Sequence, residues 1–101
     1  MPKMPVLKNN DDLRILLPKL ADETRELSVE VMNYQITGRI PDRDNAVKEA
    51  LDVVQVAIAM LDALADQGAD IESLMQEHED KLSGRGWEFK RYIEIEWEGS
   101  G

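Results

Sequence analysis

The 101-residue chain contains no cysteine. Disulfides, thiolate metal sites and a cysteine nucleophile are excluded at once. It has a single histidine, His78. Without thiolates or a second imidazole, a zinc site lacks its usual donors, and a Ser-His-Asp arrangement has little to draw on. Aromatic residues are scarce, at 5%. Positive charge is also in short supply: 12 Lys and Arg stand against 21 Asp and Glu, for a net charge of −9. Nucleic acid and anionic lipid both require the opposite balance. Neither G-x-x-x-x-G-K-[ST] nor G-x-G-x-x-G occurs, which removes the P-loop and Rossmann modes of phosphate binding. The first eight residues hold two prolines, Pro2 and Pro5, and no apolar core of a signal peptide. The longest apolar run, residues 46–65, is interrupted by Lys48, Glu49, Asp52 and Asp62 and is too polar to span a bilayer. These features lead us to expect a cytoplasmic protein that uses neither nucleic acid nor membrane as a partner.

What the chain does have favours helices. Residues 1–9 read as an irregular arm. Asn10 or Asp11 can cap a short helix carrying Leu13, Leu16 and Leu17. Pro18 then breaks or kinks the chain, or starts a second helix. That second helix runs to about Thr37, with Leu20, Leu27, Val31 and Tyr34 on one stripe and Gly38 as its stop. Residues 39–43 read as a loop, and Asp44 as the cap of a third helix from Asn45 to Asp66. This third helix is apolar on nearly every side, which in a small domain calls for burial against another copy. Asp70 caps a fourth helix, Ile71 to Leu82. Arg91 to Glu98 then alternate apolar and acidic residues with the period of a strand, which would need a pairing partner. The expected fold is one domain over residues 1–101: an all-α bundle of about four helices in residues 10–86, a tail over 87–101 with a possible short C-terminal β-strand, and oligomeric assembly.

Two acidic signatures stand out. Glu23 and Glu26 form an E-x-x-E pair, and Glu49 and Asp52 an E-x-x-D pair on the next helix. Three-residue spacing places both members of a pair on one helix side. In so acidic a chain, either pair alone is usually a solvated face. Here both pairs sit beside apolar stripes on helices joined by a short connection, so packing brings them together. Converging carboxylates at a partly buried place require a cation. Oxygen-only ligands select Mg²⁺, with Mn²⁺ as the alternative. We therefore expect Glu23, Glu26, Glu49 and Asp52 to hold Mg²⁺. Lys81 and Arg85, four residues apart at the end of the fourth helix, either offset the helix dipole or bind phosphate.

The stretch Leu20-Ala21-Asp22-Glu23-Thr24-Arg25-Glu26-Leu27 resembles the L-x-E-E-x-x-E-L signature of the MazG-like all-α nucleoside triphosphate pyrophosphohydrolases. Glu49-Ala50-Leu51-Asp52-Val53 resembles their E-x-x-D-V element, and Lys81-Leu82-Ser83-Gly84-Arg85-Gly86-Trp87 their basic K-L…R-G-W end. The resemblance spans about residues 13–87. Asp22 stands where the family often has Glu, so metal ligation carries over to Glu23, Glu26, Glu49 and Asp52 only. The resemblance implies hydrolysis of a (deoxy)nucleoside triphosphate to the monophosphate and pyrophosphate. It implies catalytic roles for Glu26, as the base that orients water, and for Glu49. It places Lys81 and Arg85 on the leaving pyrophosphate, in a homodimer or homotetramer. Two other readings compete: a phosphoribosyl-ATP pyrophosphohydrolase relative, and a non-catalytic acidic helical interaction module.

Overall fold

A computed structural model describes residues 3–94. It is all-α among these residues, with three helices: α1 (Leu13–Thr37), α2 (Ile40–Asp66) and α3 (Ile71–Gly84). The helices expected before and after Pro18 are a single helix. Asp12, not Asn10 or Asp11, caps it by accepting the Arg14 N–H at 3.0 Å. Pro18 lies inside α1, where its missing N–H leaves the carbonyl of Arg14 without its usual helical donor. That residue is at the solvent edge, its side chain 92% exposed, so water can serve the carbonyl and the helix continues.

The chain forms two compact units, one ending at Ala69 and the other beginning at Asp70. In the first, α1 and α2 pack as a hairpin across a connection of only Gly38 and Arg39. Gly38 takes the left-handed conformation (φ 62°) that ends α1, and its N–H donates to Tyr34 O at 2.8 Å. A side chain at this φ would be strained. The expected loop over 39–43 is instead the first turn of α2. Pro41 sits at the start of that helix, where its lost N–H has no intrahelical partner to miss. Asp42 accepts the Thr37 hydroxyl, which ties the two helix ends together. Asp44 is therefore internal to α2 and caps nothing.

The core is small. Leu16, Val56 and Ala59 form a buried cluster, with Leu13, Leu20 and Met60 packed against it, and Ala63 is the remaining buried residue described. Alanines at 59 and 63 let α1 approach α2 closely. The arm before α1 is irregular, as expected, and is tied down where the Gln55 side-chain amide donates to Pro5 O.

The second unit is built on α3. Asp70 caps it as expected, accepting the Ser73 N–H at 3.1 Å. Beyond the helix, the Tyr92 hydroxyl donates to Glu79 at 2.9 Å, and Phe89 meets Tyr92 edge-to-face at 5.9 Å. That hydrogen bond to a carboxylate raises the Tyr92 pKa. Residues 91–94 are not a strand. The rest of the expected strand, Ile95 to Glu98, lies outside the described residues. No helix among the described residues is long and apolar enough to cross a membrane.

Candidate metal centre

The hairpin register decides where the acids go. On α1 the inward stripe reads Leu13, Leu16, Leu20, Glu23, Leu27, alternating steps of three and four residues. On α2 it reads Glu49, Asp52, Val56, Ala59, Ala63, with the same alternation. This is the seam of two helices packed side by side. Leu16 packs with Val56 and Ala59. One heptad further along α1 is Glu23, and one heptad back along α2 are Glu49 and Asp52. Carboxylates thus take seam positions that the rest of the stripe gives to leucine, valine and alanine, and the antiparallel pairing sets them opposite one another.

One oxygen from each of Glu23, Glu49 and Asp52 lies within 4.8 Å of the other two. Glu23 and Glu49 are half-buried and Asp52 is exposed. The Oε2 atoms of Glu23 and Glu49 are shut off from solvent and have no hydrogen-bond partner. An acceptor in that condition normally finds a donor or a cation. Burial raises the Glu23 pKa, helped by the charges of Glu26, Asp52 and Asp22, while Lys19 pulls it the other way. Burial raises Glu49 too, followed by the charges of Glu26 and Asp52, a hydrogen bond shared with Glu26, and the charge of Glu23. Both groups are therefore held in a place that disfavours their ionised form.

Three of the four expected ligands are brought together here. Glu26 is exposed at the rim, one turn along α1 from Glu23, and its charge helps to raise the Glu49 pKa. Asp22 turns away into an ion pair with Arg25 at 3.1 Å. Lys81 and Arg85 belong to the second unit, both exposed at the C-terminal end of α3, as is His78 further back on the same helix.

Sequence reasoning missed the surroundings of the cluster. A cavity of about 130 Å³ opens beside it, lined by Leu7, Asn10, Lys19, Glu23, Asp52, Gln55 and Val56. Lys19 was legible as the residue one helical turn before Glu23 on the same side. The arm residues Leu7 and Asn10 were not, because only the tertiary fold lays the arm there.

The donor set fits a hard divalent cation: carboxylate oxygens only, two of them unpartnered, with an open side toward Asp52. Comparison of the chain with known protein families, curated proteins and solved structures finds no match.

Proposed function

We propose that the chain is a Mg²⁺-dependent pyrophosphohydrolase of the MazG-like kind, converting a (deoxy)nucleoside triphosphate and water into the monophosphate and pyrophosphate. The observation that carries this reading is the meeting of Glu23, Glu49 and Asp52, two of which carry an unpartnered buried oxygen. Glu23, Glu49 and Asp52 would hold the cation, with Mn²⁺ as the alternative ion. When bound, it neutralises phosphate charge and acidifies water. Glu26, exposed at the rim one turn from Glu23, would accept the proton of the attacking water. The roles of Lys81 and Arg85 toward pyrophosphate rest on the sequence resemblance. The proposed setting is the cytoplasm, where nucleotides and free Mg²⁺ coexist.

A panel of NTPs, dNTPs and phosphoribosyl-ATP with Mg²⁺ tests the reaction. Monophosphate and pyrophosphate should appear in equal amounts and stop on chelation. A panel with no cleaved member removes the enzymatic reading, and selective cleavage of phosphoribosyl-ATP moves the chain to that relative.

The proposed assembly is a homodimer or homotetramer. Val47, Leu51, Val54, Ile58 and Leu61 follow the same three-four alternation on the side of α2 opposite the hairpin seam. Four of them are 38–53% exposed, along about 20 Å of helix. A self-complementary heptad stripe of this kind suits a second copy. Wild-type protein should sediment above monomer mass at micromolar concentration, and Val54→Glu should dissociate it. A monomeric wild type leaves the stripe to another protein and favours the interaction-module reading.

A further inference from the structure

We propose that the cavity beside the carboxylates is the polyphosphate seat and that Lys19 supplies its positive charge. This rests on the metal reading above and extends it to the substrate side of the same site. Glu23 and Asp52, two of the three clustered carboxylates, line the cavity together with Val56 and with Leu7 and Asn10 of the arm. At about 130 Å³ it has room for about four waters, enough for one or two phosphate groups displacing them, with the rest of a polyphosphate reaching toward solvent.

Lys19 is the one cation lining this cavity, in a wall otherwise made of two carboxylates, two amides and two apolar residues. Its ammonium makes no hydrogen bond or ion pair among the described residues. It nevertheless lies close enough to Glu23 to oppose the rise in that residue's pKa. A lysine here has two opposite consequences. It repels an incoming Mg²⁺, weakening the bare metal site. It also attracts a polyphosphate, whose charge exceeds what one divalent ion cancels. The Gln55 amide, which also lines the cavity, donates to Pro5 O and so holds the arm in place as its wall. Asn10 of the arm adds a second amide to the lining, suited to a phosphate or sugar oxygen.

The opposed signs make the test. Calorimetric titration of the full chain would use Mg²⁺ alone, and then inorganic tripolyphosphate at saturating Mg²⁺. Lys19→Met should bind Mg²⁺ as tightly as wild type, or up to about threefold more tightly, because a neighbouring positive charge is gone. The same variant should bind tripolyphosphate at least about tenfold more weakly, as expected for loss of a charge-assisted contact, and Lys19→Arg should restore most of it. Lys19 is exposed and methionine is a good helix former, so both variants should keep the wild-type melting temperature. Unchanged tripolyphosphate affinity in Lys19→Met, or an equal loss of metal and tripolyphosphate binding, overturns the assignment while leaving the metal site standing. A wild type that binds no Mg²⁺ fails the metal reading itself, and the seat falls with it.

Discussion

Glu49→Gln should melt at a higher temperature than wild type without metal, and at a lower one with it. The reversal follows from the chemistry of one side chain. Glu49 is a carboxylate in a seam position, with Oε2 buried and unpartnered. Its pKa is raised by burial first, then by Glu26 and Asp52. A carboxyl whose folded pKa lies above its unfolded value binds more protons in the fold. Its stabilising contribution is complete below the usual value of 4.5 and is lost as pH climbs through the raised one. At neutral pH the ionised group opposes folding, and glutamine, of the same shape and uncharged, removes that opposition. Asp12 has the reverse slope, because Arg14 holds its carboxyl below the usual value. The clean readout is therefore the difference between wild type and variant at each pH, in which Asp12 cancels.

Metal inverts the order. At a Mg²⁺ concentration a hundred times its dissociation constant, wild type should gain on the order of 10–20 °C in Tm, and Glu49→Gln only a small part of that. Nucleotide cleavage should fall at least a hundredfold, beyond the roughly 10–100-fold lost when a group merely supporting a ligand is removed. Thermal melts from pH 4 to 8, with Mg²⁺ and with chelator, check the first part, and initial rates the second. If wild type gains nothing from Mg²⁺ or Mn²⁺, the three carboxylates hold no divalent ion and the metal reading fails.

Leu16→Ala should cost about 2–5 kcal/mol, and about 10–30 °C in Tm. Leu16 is 1% exposed, and no larger side chain among the described residues is so completely enclosed. It is the only α1 residue in the fully buried cluster, filling the space left by Ala59 beside Val56. A domain of this size holds only about 5–15 kcal/mol in total, so the loss is a large fraction. The adjacent Leu17 is the control: it is 63% exposed, and Leu17→Ala should change stability by no more than about 0.5 kcal/mol. Urea unfolding of both variants decides the matter. Equal losses at the two positions would mean that the hairpin register is wrong.

The same register shows what could be read from the chain and what could not. Helical content, the stop at Gly38, the cap at Asp70 and the two acidic pairs follow from local rules of spacing and capping. These depend only on residues within a turn or two of one another, so they are legible in sequence. Pro18 and Pro41 misled for the same reason. A proline is a strong local signal for a break, but its cost depends on whether its missing N–H had a partner and whether water can reach the carbonyl left behind. α1 runs through the first proline, and α2 begins at the second, which joins two expected helices and brings the third forward to Ile40.

The acids divide along the same line. That Glu23, Glu26, Glu49 and Asp52 lie beside the apolar stripes of two helices was determined by the sequence alone. That Glu23 faces Glu49 and Asp52 while Glu26 stays at the rim was decided by the antiparallel pairing, because a seam position acquires its partner only when the second helix sets the register. The Lys19 cavity depends wholly on tertiary structure: its walls come from residues 7, 19 and 55, too far apart in the chain for any local pattern to join.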